Sequence, residues 1–343
     1  MKSAIYYGKE NVKIEEKPLP IVGENDVLIK NIYSSICGTD IAVFKHGRGT
    51  GHKIEVGGEF GHETVSRVVK VGKNVTELSV GDIVYPYPRF AKGDTKKSGV
   101  IGGFSEYILI PNAKLNHSLY LVPHKITTKT ACLIEPFTVG CRAARRSLVQ
   151  KGENAVVFGC GTIGIAAAIS LKYFGCNKVM ICDLSDFRLN IAKNLGFEVC
   201  NIQKDDFLEK ALSVFGKAQG PNGAKAPNAS IFIDAAGAES VLDLFIQYGK
   251  IDSRIVLVAV NNAKRQLDLL HLTYAQKAII GSGGYMPEDV RDVTEIMKSG
   301  KWDIEKIITN EFPIERLSKA IIKAADYEKS FNVVIDFEFK SGQ

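Results

Sequence analysis

From Met1 to about Pro123, apolar and polar positions alternate in short β-branched runs such as Val27-Leu-Ile-Lys-Asn-Ile and Ser66-Arg-Val-Val-Lys-Val. Glycine, proline and asparagine punctuate them, and the runs starting at Gly81 and Gly103 keep the period of two, so an irregular β-rich unit is expected there. The pattern changes near Thr127. A helical stretch leads to Gly152, and strands at 154–158, 179–182, 230–233, 255–260 and 278–281 then alternate with helices at 163–174, 187–195, about 207–215 and 240–248. Such alternation predicts a parallel sheet with helices on both faces, an α/β unit. Residues 216–228, rich in Gly, Pro and Ala, read as a surface loop. Beyond Gly284 come helical patterns at 288–299 and 314–327 and a last strand at 332–339. That remainder is too small to form a domain and is expected to pack back onto the N-terminal β unit. The expected division is 1–145, 146–284 and 285–343.

A chain of 343 residues, 45% hydrophobic and 24% charged, suits two globular domains with full cores. Its net charge of +6 forms no basic block, which fits a solvated surface and small anionic molecules, not nucleic acid. The N-terminus has no apolar signal region. The longest uncharged stretch, 155–171, is broken by three glycines and is short of the roughly 20 apolar residues of a membrane span. A soluble, cytoplasmic protein is expected, with no membrane partner. Seven cysteines form no tight pair, and six of them stand among apolar or small residues, where a free thiol acts as a small buried hydrophobe. Their odd number fits a reducing compartment. Cys37 is the exception, because of its neighbours.

The run Ala155-Val-Val-Phe leads into Gly159-Cys-Gly-Thr-Ile-Gly, so Gly159, Gly161 and Gly164 have the spacing GxGxxG. Alone, that spacing is weak. Between a buried strand and a helix of small residues it has the context that a dinucleotide requires. Gly159 allows the tight turn, Gly161 the close approach of backbone to a pyrophosphate, and Gly164 the packing of helix on strand. Thr162 and Ile163 begin the helix, whose N–H groups and dipole would face the phosphates. The next strand ends at Asp183, with Leu184 after it, placing a carboxylate where both adenosine ribose hydroxyls could donate to it. The same charge repels a 2′-phosphate, so NAD is expected rather than NADP. Arg188, a few residues on, weighs the other way if it meets such a phosphate, and is otherwise a surface helix charge. Ala236, Val258 and Val260 follow strand ends, where their backbones are expected to contact ribose or nicotinamide.

Cys37, His62, Glu63 and Glu135 suggest a metal. Thiolate, imidazole and carboxylate are the ligand set of Zn2+, and three protein ligands with an open position mark a catalytic site. A carboxylate in the apolar run around Glu135 is costly to bury unless paired, protonated or bound to a cation. It also reads as an N-cap before Pro136 or a partner of Arg142. His62 and Glu63 are adjacent, and on a regular strand they would face opposite ways. Both reach one metal only if the backbone bends, which Gly61 permits; otherwise Glu63 is an ordinary salt-bridge residue. Cys37 taken alone reads as buried structure.

Cys37-Gly-Thr-Asp, Gly61-His-Glu, Val71-Gly-Lys-Asn-Val, Gly81-Asp-Ile-Val, Gly102-Gly-Phe-Ser-Glu-Tyr, Glu135-Pro and the Gly159 loop follow one another in this order. The series resembles the medium-chain dehydrogenase/reductase family over essentially the whole chain. The segment from Glu135 to Arg146 is similar to its sorbitol and butanediol dehydrogenase branch. The resemblance implies a GroES-like catalytic domain and a doubly wound Rossmann domain. It implies Cys37, His62 and Glu63 as ligands of one catalytic zinc, with Glu135 as a further ligand or the holder of a water on the metal. It also implies NAD-dependent oxidation of a secondary alcohol or polyol to a ketone, in a homodimer or homotetramer. In such a reaction the Thr39 hydroxyl could take the substrate's proton; otherwise Thr39 is a turn residue. Two departures stand out. The stretch from Tyr87 to Ser98 lacks the cysteines of a structural zinc, and Ala42 stands where many relatives carry a proton-relaying histidine. The proton then needs another route, through water or His46. A threonine-type amino-alcohol dehydrogenase and a non-enzymatic NAD-binding regulator are the alternatives.

Overall fold

The computed structural model describes residues 1–50, 54–91, 102–260 and 263–339. Two compact units divide the chain, Met1–Glu135 with Ile304–Gln343, and Pro136–Asp303. The dividing points therefore differ from the expected 145/146 and 284/285.

In the first unit, Val27–Ser35 is the organising strand. It pairs antiparallel with Glu63–Val71 on one side and, along its other edge, with Tyr107–Ile110 and Asn332–Asp336. The last of these is the expected terminal strand, three residues shorter than the 332–339 pattern. Ile314, Leu317, Ile321, Val333 and Ile335 share one core with Tyr6, Ile36, Val43, Phe44, Phe60 and Phe104. At about 1.5–3 kcal/mol for each large apolar side chain buried, the C-terminal segment completes a core that the N-terminal residues cannot close alone. The unit is not purely β. Gly38–His46 is a helix, started by a capping box in which the Asp40 carboxylate accepts from the Cys37 amide.

The second unit carries six parallel strands in the order Glu198–Asn201, Val179–Asp183, Ala155–Phe158, Ile231–Asp234, Arg254–Leu257, Ala278–Gly281. Numbered along the chain this is 3-2-1-4-5-6, the doubly wound order with a crevice where the order reverses. Ala155–Phe158 and Ile231–Asp234 are buried at every position, which is why their sequences run apolar without alternation. The edge strand Glu198–Asn201 and the hairpin Lys217–Gln219/Lys225–Pro227 were not expected. Both are short and polar, and the hairpin lies inside the stretch that reads as a loop. The predicted helix at 288–299 is Pro287–Lys298 and belongs to this unit, not to the returning segment. Its Val290, Val293, Ile296 and Met297 are buried, and Arg145 binds its Asp289 (2.8 Å) and Asp292. The predicted helix at 314–327 is a 3-10 turn, Ile314–Arg316, followed by Leu317–Ala324.

Candidate metal and cofactor sites

In the first unit, Glu63 stands opposite Ser35 in the ladder, and Cys37 lies two residues beyond Ser35. Register therefore brings Cys37 and the His62–Glu63 pair to one end of the sheet. The expected conflict of facing does not arise, because the strand begins at Glu63 and His62 precedes it. Gly61, at φ +91°, makes the bend. Gly103 and Phe104 donate backbone bonds to Gly61 and Phe60, and Asn31 and Ser34 in turn bond the Gly103 carbonyl. Asn31 and Ser34 carry no motif; only the pairing of distant strands reveals them as supports.

One potential ligand atom from each of Cys37, His62 and Glu63 lies within 4.8 Å of the others. Glu135, near the start of the helix Ile134–Arg146, is 7% exposed and lies outside that cluster. Its charge nevertheless acts on both Cys37 and His62. Arg142 faces Glu288 (3.7 Å) and Asp289 (4.0 Å). His62 Nδ1 stands 3.9 Å from Asp40 Oδ1, an electrostatic contact longer than a hydrogen bond. Phe44 and Phe60 are packed into the core beside this end of the sheet.

The site is electrostatically lopsided. Burial pushes the Cys37 thiol well above its ordinary pKa, and the carboxylates of Glu63, Asp40 and Glu135 push it further, against the Thr39 hydrogen bond. Burial raises Asp40 to about 7, with Glu63 adding to the rise and His62 and the Cys37 amide opposing it. Burial alone would lower His62, but Asp40, Glu135 and Glu63 outweigh it and raise its pKa. Oε2 of Glu63 is buried and has no hydrogen-bond partner among the described residues. A dense set of acidic donors with an orphaned carboxylate oxygen fits a divalent cation. Cys37, His62 and Glu63 are the residues that would hold it.

Thr39 sits in the first turn of Gly38–His46 and hydrogen-bonds the Cys37 side chain. Ala42 and His46 follow on the same helix, four residues apart, with His46 exposed. The cysteine-free stretch from Tyr87 to Ser98 lies outside the described residues from 92 onward.

In the second unit, Gly161 is the N-cap of Thr162–Tyr173, so Thr162 and Ile163 form its first turn. A Cβ at Gly164 would stand 1.8 Å from the Gly159 carbonyl oxygen, and Gly159 has φ +98°. Before Gly161 the space is open: a Cβ there meets only the Arg188 guanidinium, at 3.8 Å. A turn whose glycine faces empty space beside a cation and a helix N-terminus fits a phosphate. Asp183 ends its strand and accepts from the amides of Cys160 (2.6 Å), Leu184 (2.8 Å) and Ser185 (2.9 Å). Three backbone amides thus fix the direction of this carboxylate at the end of the strand. Ala236 follows the strand ending at Asp234 and donates to that carboxylate, while Val258 and Val260 lie beyond Leu257, with Val260 exposed.

A unit shaped for a dinucleotide, joined in one chain to a unit that gathers soft and hard donors, divides labour as metal-dependent dehydrogenases do. Residues 23–120 match the alcohol dehydrogenase GroES-like domain, and residues 162–299 match the zinc-binding dehydrogenase domain. The chain belongs to the zinc-type alcohol dehydrogenases of the medium-chain dehydrogenase/reductase family, and it is an oxidoreductase, which removes the non-enzymatic alternative. It is 26% identical to sorbitol dehydrogenase of Bacillus subtilis over 348 residues, covering 96% of this chain and 94% of that one. It is also 26% identical to L-threonine 3-dehydrogenase of Bacillus velezensis over 339 residues, 94% and 91% of the two chains. In fold it matches 2R,3R-butanediol dehydrogenase from Bacillus subtilis with a TM-score of 0.84, at 24% identity, covering 98% of this chain and 99% of that one. No helix among the described residues is long and apolar enough to cross a membrane.

Proposed function

We propose that this protein oxidises a secondary alcohol or polyol reversibly to a ketone, with NAD as hydride acceptor and one catalytic zinc held by Cys37, His62 and Glu63. The observation that carries the reading is the cluster of those three donors around the orphaned Glu63 oxygen. Zinc there would supply Lewis acidity, drawing a hydroxyl pKa from about 16 toward neutrality. Thr39 receives the substrate's proton at its hydroxyl oxygen, and the capped helix fixes its place. Asp40 orients His62, and Glu135 adds negative charge that favours the cation. Gly159, Gly161, Thr162, Ile163 and Gly164 cradle the pyrophosphate, helped by Arg188. Asp183, with Leu184 beside it, takes a ribose hydroxyl and repels a 2′-phosphate. Ala236, Val258 and Val260 offer backbone to the ribose and nicotinamide. With Ala42 on its helix, the proton leaves through water or by way of His46. No structural zinc, a homodimer or homotetramer, and a cytoplasmic setting belong to the same reading.

The test joins elemental analysis to turnover. About one zinc per chain is expected, lost together with activity in Cys37→Ser. Sorbitol and butane-2,3-diol are expected to turn over with NAD at higher kcat/KM than with NADP. Full activity without metal would overturn the zinc assignment. The similarity to a threonine dehydrogenase supports an amino-alcohol substrate as the second reading, and higher kcat/KM on L-threonine than on either polyol or diol would establish it instead.

A further inference from the structure

Two cysteines outside the proposed reaction face each other in the second unit. Cys182 lies on Val179–Asp183 and Cys200 on Glu198–Asn201, directly opposite in the parallel register. Registered side chains on neighbouring strands stand on the same face, and the two thiols hydrogen-bond one another. Both are free and buried. Paired strands run about 4.8 Å apart, within the roughly 4.4–6.8 Å that a disulfide spans between Cα atoms.

Both thiols are enclosed, so access depends on local opening, and position supplies the consequence. Cys200 belongs to a four-residue strand at the edge of the sheet, and edge elements open locally at lower cost than strands held on both sides. Within the pair, burial and the neighbouring thiol push Cys182 well up, while the hydrogen bond from Cys182 lowers Cys200, so Cys200 is the one of the two that gives up its proton first. Asp183 follows Cys182 directly. Asn201 follows Cys200 and donates to the Leu184 carbonyl (3.1 Å) and the Asp186 carboxylate (2.6 Å), while the Ile202 amide donates to the Asp183 carbonyl (3.2 Å). The turn that carries the Asp183 carboxylate therefore hangs from both strands, one residue from each thiol.

We propose that Cys182 and Cys200 form a peroxide-sensitive modification site, whose conversion to an intrachain disulfide shifts Asp183 and weakens dinucleotide binding. The Cys200 thiolate attacks the O–O bond of a peroxide, giving a sulfenic acid and releasing hydroxide. The Cys182 sulfur then attacks the sulfenic sulfur, forming S–S and expelling a second hydroxide. The two thiol protons convert both hydroxides to water, so two thiols and hydrogen peroxide yield one disulfide and two waters. The coupling to affinity rests on Asp183 as the ribose carboxylate; the disulfide itself does not.

Tryptic cleavage places the two thiols in separate peptides, residues 179–188 and 194–204, each with one cysteine. Zinc-loaded enzyme is treated with a few equivalents of hydrogen peroxide, blocked with iodoacetamide and digested without reductant, while NADH binding is titrated by fluorescence. The expected result is a linked pair of these peptides and a Kd for NADH raised at least about threefold, both reversed by dithiothreitol. Cys200→Ser, and Cys200→Val as an apolar replacement in case the serine disturbs the core, are expected to keep the untreated Kd after the same dose. Absence of the linked peptides, linkage with unchanged Kd, or a rise in Kd that persists in both variants would each overturn the proposal. Failure of the untreated protein to bind NADH would overturn the cofactor reading and with it the coupling, whereas the linked peptides would still report the disulfide.

Discussion

Gly61 has a φ of +91°, and a Cβ there would fall 2.7–2.9 Å from the Phe104 ring. Gly61→Ala therefore meets a backbone penalty of about 1–2 kcal/mol and an overpacking penalty of about 1–3 kcal/mol, both relieved by moving the chain at His62. Zinc affinity is expected to fall by at least tenfold, measured by competition with a chromophoric chelator; unchanged affinity would show that the bend does not place His62. Asp40→Asn keeps the shape of the capping residue but removes the charge facing His62. A drop of about 10–100-fold in zinc affinity is expected, with Tm of the metal-free protein changed little. The motif spacings pointed to Cys37, His62 and Glu63. They did not indicate that Asp40 faces His62, because that relation crosses from a helix start to a strand start 22 residues later.

The helix Glu239–Tyr248 shows how an element can be completed by a distant residue. Nζ of the buried Lys277 donates to the carbonyl oxygens of Phe245 (3.1 Å) and Ile246 at its C-terminal end. Burial lowers the Lys277 pKa to about 8. In the unfolded chain the group titrates near 10.4. Below pH 8 it is protonated in both states; between the two values the unfolded chain binds more protons, so stability rises with pH. Relative to Lys277→Met, the wild-type protein is expected to gain about 1–3 kcal/mol between pH 7 and 10, read from urea melts at each pH. A flat difference would show that the ammonium stays charged in the fold. The strand–helix pattern located this helix but not its cap. A lone lysine before the apolar strand Ala278–Gly281 reads as a surface charge until the chain closes around it.

At the scale of the whole chain, the proposed metal and cofactor sites lie in different units, so the two should respond to separate ligands. Hydrogen exchange is expected to slow around Cys37, His62–Glu63 and Glu135 when zinc is added to metal-free protein. NADH should slow it around Gly159–Gly164 and Asp183–Arg188. Each ligand stabilises by about 2.7 kcal/mol at a hundred times its Kd, so thermal midpoints should rise with either. Protection by NADH confined to Met1–Glu135 would overturn the assignment of the Gly159 turn to the cofactor.

The sequence by itself determined the α/β class, the order of strands and helices around Gly159, and the four residues to inspect for metal. These are local or periodic signals: a GxGxxG turn carries its own backbone demands, and buried parallel strands must be continuously apolar. Tertiary structure decided where the units divide and that the edge strand Glu198–Asn201 exists. It also decided that His62 precedes its strand, and that Glu135 stands outside the cluster of mutual distances while acting on it by charge. Those outcomes depend on pairing energies between residues far apart in the chain. A four-residue strand or a single buried carboxylate acquires its role only from the neighbours that folding supplies.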